Sequence, residues 1–346
     1  MKVGLVAGYS PARMSIPMEL ILEAEGLGFD SVWTAEAYGS DAATPAAWIL
    51  SRTERIKVGT AIMQMPARSP AMAAMTAMTL DAMSGGRFLL GIGPSGPQVI
   101  EGWHGVAYGR PLTRTREYIS IIRKILEREE PVTHEGFHYQ LPYHGPDASG
   151  LGKPLKSILH GRADMPIYTA AITPNGMRTS AEVADGVFPV WMNPERFDLF
   201  EGPLGEGFAR AGGGKDLDSF EVAPFVTVVL DEDLDRARLP VRQNLALYIG
   251  GMGAREKNFY NDYAKRLGYE AEAKTIQDLF LAGKRAEAAA AVPEKLIDEV
   301  ALVGPAGRIR ERVSRWTEAG ERRQVGALLA STSSPEALRI LAEELL

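Results

Sequence analysis

The chain reads as an α/β protein, a closed (β/α)8 TIM barrel with insertion segments, and three observations predict it. Short apolar strand patterns alternate with helical ones for nearly the whole length, as expected of parallel strands joined by helical crossovers. The alternation repeats about eight times, the number of units a closed barrel of this kind needs. The 346 residues exceed one ordinary domain but suit one large barrel.

The elements follow in order. Residues 3–7 form a continuous apolar strand, and Ile16, Leu20, Ile21, Ala24 and Leu27 then keep helical spacing until Gly28 stops it. Residues 31–34 are the second strand and 45–51 its helix. Residues 56–62 are the third strand, and Ser69-Pro70 supply the cap and first residue of a Met- and Ala-rich helix reaching Met83. Ser84-Gly85-Gly86 closes that helix, residues 87–92 are the fourth strand, and a Gly-rich loop leads to a helix starting near Thr113. That helix carries Tyr118, Ile121, Ile122, Ile125 and Leu126 on one face. Residues 131–141 read as a β-hairpin turning near Glu135-Gly136, opening an insertion that runs to 164. Strands five to seven fall at 166–171, 186–190 and 222–230, with helices at 175–184 and 194–211 between them. A helical excursion occupies about 234–300, and a helix at 305–319, a last strand at 325–330 and a helix at 335–345 complete a single domain spanning 1–346.

Composition narrows the function. Hydrophobic residues make up 45% and charged residues 24%, as in a folded core-forming protein rather than a disordered or fibrous one. Thirty-eight Lys and Arg against 44 Asp and Glu give a net charge of -6, so no overall positive field exists to hold nucleic acid. Cysteine is absent, which removes disulfides, thiolate nucleophiles and sulfur-ligated metals. The N-terminal residues run straight into a strand pattern without a signal-peptide profile, and no run reaches the roughly 18 apolar residues of a membrane helix, so the expected location is cytoplasmic.

Two motifs invite strong readings. His134-Glu135-Gly136-Phe137-His138 matches the H-E-x-x-H pattern of zinc proteases, which needs both imidazoles on one helix face. Pro131, Val132, Thr133 and Gly136 argue for strand, turn and strand instead, so no metal is expected. Gly91-Ile92-Gly93-Pro94-Ser95-Gly96 matches G-x-G-x-x-G after a strand, but the sequence offers no helix opening within it, so a Rossmann site is refused in favour of a glycine loop near a flat or phosphorylated ligand.

In such a barrel, ligands meet the C-terminal ends of the strands and the loops that follow. Glu36, after the second strand, is a candidate proton donor or acceptor, against the plainer reading of a solvated acid. Residues 61–66 end the third strand with apolar side chains and Gln64, either to pack a flat ring or to cover the barrel top. Residues 170–175 leave the fifth strand and enter a helix, whose free N–H groups suit an anion as well as an ordinary capped loop. Tyr9, Tyr38 and Trp191 are candidates for the substrate-facing mouth, and Asn193 lies beside them. His104, His134, His138, His144 and His160 fall in loops or the insertion, with no Ser or Asp partner at a fixed spacing, so a nucleophilic triad is unsupported.

Residues 27–36, 55–62, 69–70, 80–93 and 184–186 occur in order and together resemble the bacterial luciferase-like monooxygenase superfamily, most closely its branch dependent on the deazaflavin coenzyme F420, which includes methylenetetrahydromethanopterin reductase. The resemblance implies a homodimeric oxidoreductase that transfers hydride between bound F420 and a small-molecule substrate. It implies a non-proline cis peptide at Ala61-Ile62 behind the deazaflavin ring, with Gln64, Ser95, Gly96 and Gln98 near the ring and its tail. It also implies a coenzyme-phosphate loop at Ala170, Ala171, Ile172, Thr173 and Asn175, and a ring-proximal acid at Glu36. Many relatives have His directly after that acid; here the residue is Ala37, which weakens a mechanism relying on that base. Two rival readings keep the barrel: an FMN-dependent monooxygenase using oxygen, and a protein that binds a flavin or deazaflavin without turnover.

Overall fold

The computed structural model describes residues 1–346 except Pro11 and Ala254; Pro11, expected in the loop after the first strand, and Ala254, within the expected helical excursion, lie outside the described residues. In chain order the elements are β1 (Lys2–Gly8), α1 (Met18–Leu27), β2 (Ser31–Thr34), α2 (Ala43–Leu50), β3 (Lys57–Thr60), β4 (Met63–Gln64), α3 (Pro70–Met83), β5 (Phe88–Gly93), α4 (Pro97–Gly102) and α5 (Pro111–Glu127). The hairpin β6 (His134–Glu135) and β7 (Gln140–Leu141) follows, then β8 (Ile167–Ala170), α6 (Pro174–Val183), β9 (Gly186–Phe188), α7 (Asp198–Ala211), β10 (Glu221–Val222) and β11 (Phe225–Leu230). The chain ends with α8 (Leu234–Gly251), α9 (Phe259–Arg266), α10 (Glu270–Leu281), α11 (Arg285–Ala290), α12 (Glu294–Val300), β12 (Ala301–Gly304), α13 (Ala306–Glu321), β13 (Ala327–Ser331) and α14 (Pro335–Leu345).

One curled sheet runs β10-β9-β8-β5-β3-β2-β1-β13-β11-β12, with β4 beside β5, and every pairing in it is parallel. Strands covered on both faces read as unbroken apolar runs, as in β5, which is buried at every position; β2 is equally buried, its end residues satisfied by bonds from Trp33 Nε1 to Ser31 Oγ and from Thr34 Oγ1 to Ala42 O. Residues 221–230 serve both flanks: Glu221 pairs with Gly186 of β9, and Phe225 pairs with Leu329 of β13 while bridging Val190.

Differences from the expected elements have local causes. The expected seventh strand is two strands, because Ala223-Pro224 interrupts it and Pro224 has no N–H to give the ladder. The third strand stops at Thr60, and the chain kinks before β4. The loop after β5 holds the short helix α4, started by Pro97 with Gly96 as cap and anchored by buried Ile100. The helix expected from 194 begins at Asp198. β12, a strand outside the expected count, lies in the apolar stretch closing the helical excursion and pairs with β11.

Inside the curl, a small core of Trp33, Leu89, Tyr168, Phe188 and Leu329 packs below Ala61 and Ile62. Trp33 meets Tyr168 and Phe188 edge-on, with ring centroids 5.3 and 5.0 Å apart, and Tyr168 stacks on Phe188 at 5.2 Å. Gly59 is obligatory here, since a Cβ would stand 2.2 Å from the Trp33 ring. Among the described residues, no helix is long and apolar enough to cross a membrane.

Candidate active site

Four loops at the C-terminal edge of the sheet meet around the segment after β3. The Ala61-Ile62 peptide is cis, as the resemblance implies. Its neighbours hold it from three sides: Ala61 N donates to Thr34 O at 2.6 Å, Glu36 N donates to Ile62 O at 3.3 Å, and the Ile62 side chain lies over Gly93. The first two glycines of the G-x-G-x-x-G stretch are thereby explained by packing. A Cβ on Gly91 would stand 1.8 Å from Thr60 O, and one on Gly93 would stand 2.7 Å from Ile62 Cδ1. Ala61 and Ile62 remain half-buried, facing the opening above the aromatic floor.

Glu36 is fully engaged. Its Oε1 accepts from Gln64 N at 2.7 Å and Arg68 Nη1 at 2.5 Å, and its Oε2 accepts from Ala42 N at 3.0 Å and Arg68 Nη2 at 3.1 Å. These four donors match the four acceptor sites of a carboxylate, and its side chain is only 6% exposed. The expected proton-handling role therefore meets a competing one, in which Glu36 fixes the kinked segment to the loops after β2 and before α3.

Gln64 is buried and joins the loops. Its Nε2 donates to Ala37 O and to Ser95 Oγ, both at 3.1 Å, while its Oε1 is 2.7 Å from His104 Nε2. Ser95 has a left-handed backbone (φ 58°), and its carbonyl accepts from Tyr108 Oη at 3.2 Å. Gly96 caps α4, and Gln98 is exposed on its first turn. Burial raises the Tyr108 phenol above its usual range, with nearby Arg114 opposing.

On the opposite side, Thr173 caps α6 by accepting from Gly176 N at 3.0 Å. Gly176 is small because a Cβ would sit 2.9 Å from that hydroxyl. The amides of Ile172, Thr173 and Asn175 have no acceptor among the described residues, which leaves three donors at the positive end of a helix. Ala170 belongs to β8, and the Ala171 amide donates to Phe188 O at 3.4 Å, so the expected anion contact at Ala171 competes with a sheet bond. The Asn175 side chain accepts from Arg178 at 2.6 Å. Arg266 of α9, absent from the sequence-derived candidates, donates to Ile172 O at 2.6 Å and lies over the Tyr263 ring. Burial lowers its pKa, with Tyr263 and Asp262 opposing.

An aromatic rim completes the opening. Trp191 (φ 49°) packs against Tyr248 at 5.7 Å and Tyr260 at 5.4 Å. Tyr9 and Tyr38 are exposed, and their phenols add to the burial that raises the Tyr248 phenol. The sequence candidates Tyr9, Tyr38 and Trp191 thus converge, with Tyr248 and Tyr260 added by α8 and α9. The H-E-x-x-H residues lie on the hairpin: His134 Nε2 is 3.6 Å from Glu117, and His138 packs on Arg110 and Arg114.

Residues 6–323 match the family model described as luciferase-like monooxygenase. The chain belongs to that family. It is 44% identical over 344 residues, 99% of this chain and 98% of the relative, to Rv3520c of Mycobacterium tuberculosis H37Rv, a protein provisionally named a coenzyme F420-dependent oxidoreductase. It is 27% identical over 93% of its length to 5,10-methylenetetrahydromethanopterin reductase of Archaeoglobus fulgidus, covering 92% of that protein. Among solved structures, the F420-dependent tetrahydromethanopterin reductase of Methanopyrus kandleri superposes with TM-score 0.77 at 23% identity, covering 99% of this chain and 98% of that one. An F420-dependent secondary alcohol dehydrogenase bound to an F420-acetone adduct gives 0.74 at 22% identity, with the same coverage. At these identities the superpositions speak for the fold.

Proposed function

We propose that this luciferase-like protein is an oxidoreductase that binds coenzyme F420 at the C-terminal edge of the sheet and exchanges a hydride with a small organic substrate. The observation that carries the reading is the pairing of two features across one opening: a half-buried apolar kink at Ala61-Ile62, and three unpaired amides beside Arg266. The first suits a flat ring and the second suits a phosphate. The 44% identity to an F420-named relative over nearly the full chain supports the choice of coenzyme.

The residues divide the work. Ala61 and Ile62 back the ring, Glu36 with Arg68 positions them, and Gln64, Ser95, Gly96 and Gln98 flank the ring and its tail. Ile172, Thr173 and Asn175 give amides to the phosphate, with Ala170 and Ala171 shaping the loop. Tyr9, Tyr38 and Trp191 face a small, apolar or conjugated substrate. When bound, the coenzyme supplies or takes up the hydride, and the protein provides geometry and excludes water.

The reading includes a single domain over 1–346 with an insertion at about 131–164 and a helical excursion at about 234–300. It also includes closure of the sheet into a (β/α)8 barrel, supported by the pairing of residues 221–230 with strands on both sides. A cytoplasmic homodimer without nucleic-acid or membrane partners belongs to the same proposal; apolar Trp48, Met72, Met75 and Met83, exposed on α2 and α3, support a second copy.

Titration of the purified protein with F420 and, separately, with FMN tests the coenzyme. Saturable binding of F420, followed by its absorbance, with FMN weaker by tenfold or more is expected; tight binding of FMN alone overturns the reading.

A further inference from the structure

We propose that His104 is the proton-exchanging group of this site, held in one tautomer by Gln64. The inference rests on the proposed oxidoreductase reading for its chemistry, but its geometry stands alone.

Gln64 fixes the orientation of the ring. Its side chain is buried, and one terminal atom lies 3.1 Å from the Ala37 carbonyl oxygen, which can only accept. That atom is therefore the NH2 nitrogen, and the other terminal atom is the amide oxygen. The oxygen is 2.7 Å from His104 Nε2. An oxygen with no hydrogen demands a donor, so Nε2 carries the proton. His104 Nδ1 has no partner among the described residues, and the ring is only half-buried. Nδ1 is thus the nitrogen free to take up or release a proton.

The position suits that task. His104 follows α4 directly, and its backbone amide donates to Val99 O at 3.2 Å, which fixes the approach of the ring to Gln64. Gln64 is two residues beyond Ile62 and touches the loops after β2 and β5 through Ala37 and Ser95. Most of the charged and titratable groups nearby are committed elsewhere. Glu36 and Arg68 pair with each other, Glu101 accepts from Tyr108 N at 3.1 Å, and the Tyr108 phenol donates to Ser95 O. His104 Nδ1 and the solvent-exposed Glu101 Oε2 are the unshared proton-binding atoms of this cluster among the described residues, and of the two groups only His104 is bonded to buried Gln64.

The chemistry balances. A substrate carbon that accepts a hydride leaves an adjacent heteroatom or carbon with an extra electron pair, and that pair takes a proton from Nδ1 of the doubly protonated ring. The neutral Nε2–H ring remains and regains its Nδ1 proton from water. In the opposite direction, neutral Nδ1 accepts the proton as the hydride departs. Gln64 is a positioning residue, because it acts through the imidazole.

Three readouts test this. Nitrogen-15 NMR of histidine-labelled protein without coenzyme should show His104 as the Nε2–H tautomer, and Gln64→Leu should convert it to a mixture. Diethylpyrocarbonate should modify His104 in the free protein, and saturating F420 should protect it. With reduced F420 and 2-cyclohexen-1-one as acceptor, His104→Ala should lower turnover by about 10²- to 10⁴-fold while F420 affinity stays within about threefold. Added imidazoles should restore turnover in order of their basicity, and His104→Gln, which retains a hydrogen-bonding side chain, should stay slow. An Nδ1–H tautomer, modification indifferent to F420, or a turnover loss below about threefold overturns the proposal. Failure to bind F420 sinks the coenzyme reading instead, while the tautomer result still decides the geometry.

Discussion

The two sides of the opening are built from different materials. Around Ala61-Ile62 the architecture is made of side chains: Glu36, Arg68, Gln64, Ser95 and His104 form a connected set whose members come from four separate stretches of chain. Across the opening, at the start of α6, it is made mainly of backbone, with amides of Ile172, Thr173 and Asn175 set by a helix end. The first side owes its shape to particular residues and the second to the path of the main chain. Substitutions should therefore be costly on one side and mild on the other.

Glu36→Ala should produce the largest effect. It leaves the guanidinium of Arg68, whose side chain is 20% exposed, and the amides of Ala42 and Gln64 without their acceptor. Removing one partner of a largely buried pair costs about 3 to 5 kcal/mol, so urea unfolding should show a loss of that order together with loss of F420 binding. A loss below about 1 kcal/mol would place this pair with ordinary surface ion pairs and erase the contrast.

On the backbone side, Thr173→Ala removes a cap worth about 1 kcal/mol but no amide donor. Stability should fall by that amount while the F420 dissociation constant moves by less than about threefold, under about 0.7 kcal/mol. Arg266→Ala, which removes the guanidinium bonded to the Ile172 carbonyl, should weaken binding by about tenfold. Thr173→Ala weakening binding more than Arg266→Ala would mean that the hydroxyl, not the main chain, holds the ligand.

The smallest effect lies outside both sides, in the hairpin. Burial acts to raise the pKa of Glu117, but three backbone amides, from His138, Phe137 and Tyr139, outweigh it and hold the carboxyl below its usual range. A depressed folded-state pKa stabilises above the unfolded value, about 4.3, and that stabilisation disappears as pH falls through the folded value. Denaturation curves between pH 7 and 3 should show less acid sensitivity for Glu117→Gln than for the unsubstituted chain, with unchanged F420 affinity. Equal acid sensitivity of the two proteins would refute this assignment.

Local chemistry made much of this architecture legible. Ser69-Pro70 and the residues around Thr173-Pro174 announce their helices, and unbroken apolar runs announce strands covered on both faces. The segment 300–304 carried the same signal, but its place after a run of helices disguised an added edge strand. Within the site, Gln64, the residues around Ala61 and the start of α6 were visible because they follow strands. Arg68, His104 and Arg266 were not, since their significance arises from partners 32, 40 and 94 positions away. Spacing cannot report such pairings; His104 beside the short helix α4 was hidden further by a Gly- and Pro-rich stretch that reads as loop.

The packed rings of Trp33, Tyr168 and Phe188 have a consequence for traffic. They seal the lower end of the curl, with Trp33 and Phe188 each only 1% exposed, so the opening is a dead end rather than a passage. Whatever settles deepest leaves only after whatever lies above it has gone. On the proposed reading, coenzyme and substrate sharing such a vessel queue, and the order of departure is the reverse of the order of arrival.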